Sequence, residues 1–357
     1  MSMLARAFWP MSFFAKPSPV ILLLVLLLAC MSIALQCGAV ALVGNDWLAL
    51  LSPDAASDVV RSATGGSYVL WHIRLPRALF AVLVGAALGL SGALTQGLFR
   101  NPLADPGLLG VSAGAACAAA LTIVVLAGIS LPIAPAWRIW LLPVAAFSGA
   151  LAVCFTLDRV ARWITPGSIS DLLLTGVALN ALAAAVIGLC TYLATDEQLR
   201  SLSFWTLGSL AGANWFLVAL LAALLALAWW RVRHLMSAMN ALALGVSAAA
   251  HVGIDVNQLR SKVIVLVAVL TGFAVAWCGM IGFIGLIAPH LVRTWSGSDQ
   301  RLVVPQSMLM GGLLLLVADT LARTVAIPAE IPVGIFTALL GSPFFLILLR
   351  HARGRIG

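Results

Sequence analysis

Leu79-Phe-Ala-Val-Leu-Val-Gly-Ala-Ala-Leu-Gly-Leu-Ser-Gly-Ala-Leu-Thr-Gln-Gly-Leu98 runs for twenty residues without a charge. A helix of about that length crosses the hydrocarbon core of a bilayer. Within the run, Gly85, Gly89, Ala93 and Gly97 recur every four residues and so share one face. A stripe of small residues lets two backbones approach closely, which is how helices associate where lipid removes the hydrophobic drive. The stretch therefore predicts a buried membrane-spanning helix with a packed glycine face. Gly110, Gly114 and Ala118 repeat the pattern one segment later.

Working outward, ten apolar windows of spanning character lie near residues 20–43, 76–98, 108–129, 139–157, 171–194, 215–230, 262–278, 280–293, 305–322 and 333–349. Of the 357 residues, 62% are hydrophobic and 9% charged, against about 25% charged in soluble domains. A soluble fold has too few polar groups here to cover its surface. The expectation is all-α: one polytopic bundle of about ten helices, a single membrane domain over residues 1–357. Leu27-Leu28-Ala29-Cys30 resembles a lipoprotein cleavage box, but the apolar run around it exceeds a leader's core, so a retained span is expected. The six cysteines form no Cys-x-x-Cys pair and read as small buried hydrophobes, with no metal site.

The net charge of +8 sits in the connections between spans, so nucleic acid is not the expected partner; the lipid bilayer is. With both termini cytoplasmic, fourteen of the twenty basic residues fall inside, Arg100, Arg159, Arg162, Arg231, Arg233 and Lys262 among them. The excess has the sign of the positive-inside rule. Asp46, Asp54, Asp58, Asp196 and Glu197 then lie outside, together with Arg61, Arg74, Arg77, Arg138, Arg200 and Arg323. Arginines in short outer loops need a reason, and Arg74, Arg77 and Arg323 are assigned to docking a partner's carboxylates, which a guanidinium fork grips in pairs.

Proton- or sodium-coupled carriers keep ionisable groups at the bilayer midplane. Asp319 and His290 are the nearest cases, and both lie toward helix ends. Energy is therefore expected from another subunit, because this chain also lacks a Walker P-loop and has only two lysines, Lys16 and Lys262. A membrane enzyme would need clustered His, Asp or Glu. The five histidines are dispersed, so no catalytic residue is assigned. Gly85, Gly92 and Pro102 share the spacing of Gly272, Gly279 and Pro289, five segments away and in opposite orientation. Such inverted repeats are common in transporters. Between the sixth and seventh segments, residues 240–258 are Ala-rich and punctuated by Gly245 and Gly253, which predicts two short helices joined by turns.

Six stretches resemble the FecCD family of permeases, the type II ABC importers for iron chelates, heme and cobalamin. They are Arg74-Leu-Pro-Arg77, Gln96-Gly-Leu-Phe-Arg-Asn-Pro-Leu-Ala-Asp-Pro-Gly-Leu-Leu-Gly-Val-Ser112, Leu242-Ala-Leu-Gly245, Gly282-Phe-Ile-Gly-Leu-Ile-Ala-Pro-His-Leu-Val-Arg293, Ala318-Asp-Thr-Leu-Ala-Arg323 and Glu330-Ile-Pro-Val-Gly334. They occur in family order over about residues 20–350. The resemblance implies a ten-helix subunit of a homodimer in the bacterial inner membrane. It further implies two separate ATP-binding-cassette ATPase subunits, which hold ATP and magnesium, and a periplasmic substrate-binding protein; this chain itself would hold no cofactor. Leu242, Ala243, Leu244, Gly245, Val252 and Gly253 would contact an ATPase. The family's acidic residue after Leu-Ala-Leu-Gly is replaced here by Val246-Ser247. The fifth segment would line the path, through Leu172, Thr175, Val177, Asn180 and Ala184. The stretch Thr191–Gly212 looks most like the heme branch, with ferric siderophore or cobalamin as the alternatives. His72, the one outward histidine, reads as a solvated loop residue.

Overall fold

A computed structural model describes residues 19–40, 42, 47, 65–126, 134–164 and 169–353. Asp46, Asp54, Asp58 and Arg61, the first eighteen residues, and parts of the 20–43 and 108–129 windows lie outside them. Every regular element described is helical. All ten sequence windows coincide with helices, seven of them long and apolar enough to cross a membrane.

The long helices are α1 (Pro19–Gln36), α2 (Leu75–Phe99), α4 (Pro135–Ile164), α5 (Ile169–Leu193), α7 (Trp215–Val232), α10 (Val256–Cys278) and α12 (Gln300–Ala322). The remaining windows hold α3 (Val111–Val124), α11 (Ile284–Ser296) and α13 (Val333–Arg353). Three helices connect spans: α6 (Asp196–Leu207), α8 (Met236–Ala243) and α9 (Val246–His251). A helical turn at Gly65–Tyr68 and a π-helical stretch at Val69–Arg74 run directly into α2. Side-chain caps fix several starts. Asn214 accepts from Leu217 N–H before α7, and Asp255 from Gln258 N–H before α10, each satisfying an otherwise orphaned donor. Thr195 and Gln198 form a reciprocal capping box at α6.

Helix α2 is the axis of the bundle and is buried along most of its length. Gly85 and Gly89 of its stripe make the expected backbone approach, whereas Gly97 abuts the Met239 side chain. A Cβ added at Gly85 would meet the carbonyl of Gly311, at Gly89 that of Ser307, and at Gly92 that of Gly285. These residues hold α2 against α12 and α11, backbone to backbone. Gly114 and Ala118 of α3 meet Gly149 of α4 in the same manner.

The spacing echo has a counterpart in packing. The second span packs on the ninth (α2 on α12), and the seventh on the fourth (α10 on α4). The eighth packs on the ninth, as the third does on the fourth. Shifting each index by five, counted cyclically over the ten spans, converts one pair into the other, the pattern expected of an inverted repeat.

Two ends of the bundle follow from the chain direction. At the first, α1, α10 and α12 stop and α2, α7 and α13 begin. At the second, α2 and α7 stop and α10 and α12 begin, with α8 and α9 between α7 and α10. Helix α12, of 23 residues, reaches from one end to the other, about 35 Å at 1.5 Å per residue.

Candidate functional site

At the first end, the three arginines assigned to docking are turned into their own chain. Arg74 donates to the carbonyls of Leu35 at 2.8 Å, Gln36 at 2.9 Å and Val40. Arg323 donates to those of Ala34 and Cys37. Those acceptors include the last carbonyls of α1, which have no partner within the helix. Two cations at that terminus satisfy them and oppose the negative end of the helix dipole.

Arg77 is an ion-pair hub. Its Nε and Nη2 donate to Asp319 at 2.9–3.2 Å, and its Nη1 donates to both oxygens of Glu330 at 2.8 and 2.9 Å. The Asp319 side chain is 1% exposed and that of Glu330 47%. Arg323 Nε stands 3.8 Å from Asp319 and completes the cluster. The charged group that this cluster presents outward is thus Glu330. Sequence reading missed the roles of Asp319 and Glu330. One signal was available: Asp319 stands four residues before Arg323 on one helix face, the spacing of an intrahelical ion pair.

The second end carries the opposite kind of surface. Helices α8 and α9 meet at Gly245, whose φ of 126° is a conformation L residues rarely adopt, and α9 is followed by Gly253 at 81°. A Cβ at either position would meet nothing within 4 Å, so the backbone, not crowding, calls for glycine. No side chain caps α9, as the Val246-Ser247 departure leads one to expect. Leu244 is 81% exposed and Val252 68%, with Ala243 and Gly253 exposed beside them. Leu242 is not part of that surface; it is buried beneath the loop.

The loop is clasped to the start of α12. Asn240 Nδ2 donates to Asp299 at 2.7 Å, and Asn240 Oδ1 accepts from Gln300 N–H at 2.9 Å. Arg301 donates to Ser237 Oγ at 3.0 Å. The Asp299 carboxyl lies below its ordinary value because the Arg301 N–H and the Asn240 amide stabilise its anion. Helix α12 therefore joins the clasp at one end to the Asp319–Arg77 cluster at the other.

The five residues assigned to the path divide. Val177 and Ala184 lie on a broad exposed face of α5, with Leu174, Leu182 and Leu189. Leu172 and Thr175 are buried inside this chain. Asn180 ties α5 to the α2–α3 connection by donating to Gly107 O at 3.3 Å. His72 is exposed and stacks on Tyr68 with ring centroids 4.4 Å apart, beside a groove of about 660 Å³ lined by Trp140, Trp215 and Trp277. His290 packs edge-on against Phe344.

Among the described residues these helices form a bundle with an apolar, glycine-hinged loop clasped at one end and an ion-pair cluster at the other, and seven of them are long and apolar enough to cross a membrane. The chain belongs to the FecCD transport family, whose model matches residues 21–351. It is 46% identical over 303 residues to the hemin transport system permease protein HmuU of Yersinia pestis, covering 82% of this chain and 88% of that one. To the vitamin B12 import system permease protein BtuC of Klebsiella pneumoniae it is 41% identical, covering 81% and 85%. A solved structure described as an inward-facing conformation of a metal-chelate type ABC transporter superposes with a TM-score of 0.78 at 32% identity, covering 94% of this chain and 99% of that one.

Proposed function

We propose that this chain is the membrane-spanning permease of an ABC importer that carries heme across the bacterial inner membrane, as a homodimer with both termini cytoplasmic. The observation that carries the coupling role is the pair of exposed apolar side chains, Leu244 and Val252, on a glycine-hinged loop. Exposed apolar residues at a tip call for a partner surface, and a separate ATPase subunit supplies it. Closure of two ATPases would push the loop, and the Asn240–Asp299 clasp would pass the displacement to α12 as a rigid element. The opposite end would receive the loaded binding protein, with Glu330 outermost and Arg74, Arg77 and Arg323 supporting that face from within. The exposed face of α5 would meet its symmetry mate and line the path with aliphatic side chains, a suitable wall for a large planar apolar ligand.

The choice of heme rests on the 46% identity to a hemin permease. Cobalamin is the second reading, favoured by the 41% identity to a vitamin B12 permease. Growth separates them. A strain lacking its own hemin permease but carrying this chain with its ATPase and binding protein should grow on hemin as sole iron source. Rescue of a cobalamin auxotroph instead, without growth on hemin, would replace the first reading by the second.

A further inference from the structure

Helices α7 and α10 are the two legs between which the α8–α9 loop hangs, and an apolar groove of about 190 Å³ runs between them. Leu224, Leu227 and Arg231 of α7 face Val265, Leu266 and Val269 of α10 across it. Leu227 and Val265 are 57% and 58% exposed. The volume is below the roughly 300–1,000 Å³ of small-molecule pockets and suits a segment of a single chain.

One end of the groove is cationic from both sides. Arg231 closes it on α7, and α7 runs toward the loop end. On α10, Lys262 lies three to four residues before Val265 and Leu266, hence on the groove face and one turn nearer the same end. Lys262 is exposed and makes no hydrogen bond or ion pair among the described residues. Arg231 has no acidic partner there either; its guanidinium is held 4.8 Å over the ring of Trp230. Ordinary snorkelling places a basic head in water with its stem along the apolar surface. Here the cation–π contact fixes one head at the mouth of a groove whose other wall supplies a second, unpaired cation.

We propose that this groove binds one anionic phospholipid. Its acyl chain lies between α7 and α10, and its phosphate sits between Arg231 and Lys262. Basic pockets between spans recognise anionic headgroups, at about 1 kcal/mol per basic residue. Because the two cations stand on the two legs of the loop, the bound lipid bridges the base of the loop.

The probe is phosphatidylglycerol against phosphatidylcholine, titrated into the purified full chain and read by native mass spectrometry. Removing both cations in Arg231→Gln/Lys262→Gln should weaken phosphatidylglycerol about 25-fold, fivefold per cation, which is ~1 kcal/mol each. Phosphatidylcholine retention should not change, and Arg231→Lys/Lys262→Arg should keep the preference. Leu227→Trp fills the groove while leaving both cations, and should also release phosphatidylglycerol. An unchanged preference for phosphatidylglycerol in the double glutamine variant, or in Leu227→Trp, overturns the site. So does displacement of phosphatidylglycerol by glycerol phosphate as readily as by its lyso form, since the groove would then contribute nothing.

Discussion

Replacing Arg77 by methionine removes the hub of the cluster at the first end while keeping an apolar stem of similar length. The variant loses three hydrogen bonds to Asp319 and two to Glu330. Glu330, half exposed, turns to solvent at little cost. Asp319, at 1% exposure, cannot, and among the described residues retains only Arg323 Nε at 3.8 Å. Breaking a buried pair from one side costs about 3–5 kcal/mol. The residual cation puts the loss at the lower bound, about 3 kcal/mol, which is more than 100-fold in the folded-to-unfolded ratio. The partner change Asp319→Leu in the same chain removes the stranded charge, so Arg77→Met/Asp319→Leu should recover most of the loss. Unfolding in mixed micelles with increasing dodecyl sulfate, followed by fluorescence of the twelve tryptophans, measures both. Two results would refute the reasoning. One is a single variant within about 0.5 kcal/mol of wild type, the range of an ordinary surface change. The other is a double variant no more stable than the single.

Three further outcomes are expected. Gly92→Val, whose Cβ would strike the Gly285 carbonyl, should lose most folded protein, whereas Gly212→Ala, with nothing within 4 Å, should be silent; equal yields would dismiss the backbone contact. Leu244→Asp should abolish co-purification with the ATPase at unchanged thermal stability, and intact co-purification would remove the loop tip from the interface. In a cysteine-free background, Ala211→Cys should react with an impermeant maleimide from outside and Ser298→Cys should not, both positions being exposed; labelling of both from one side breaks the topology. Ser67, at the same end as Ala211, is a poor reporter because it is 7% exposed.

The spans were legible because membrane helices advertise themselves by length and by lack of charge, and the glycine stripe of α2 because close backbone approach admits little else. The α8–α9 loop was legible from Gly245 and Gly253, which a turn requires. The arginines were not. A sequence shows that Arg77 is charged and near a span end, but its direction is set by Asp319 and Glu330, more than 240 positions away. Positive-inside reasoning treats such a residue as facing water. It has no term for a carboxylate delivered by another helix, nor for the orphaned carbonyls of α1 that take up Arg74 and Arg323. The path residues divide between buried and exposed faces for a related reason. A nearly uniform apolar helix such as α5 gives no periodic signal, so Leu172 and Thr175 could not be told from Val177 and Ala184 until packing assigned faces.

Transport in a defined system tests the central claim most directly. The chain is reconstituted in liposomes with its ATPase subunits, the binding protein loaded with hemin is added outside, ATP is enclosed, and the hemin that enters is read by its absorbance. Hemin should accumulate only with ATP and only with the wild-type loop, and Leu244→Asp liposomes should stay empty. Equal hemin entry without ATP, or with ATPase-free liposomes, would contradict an ATP-driven permease.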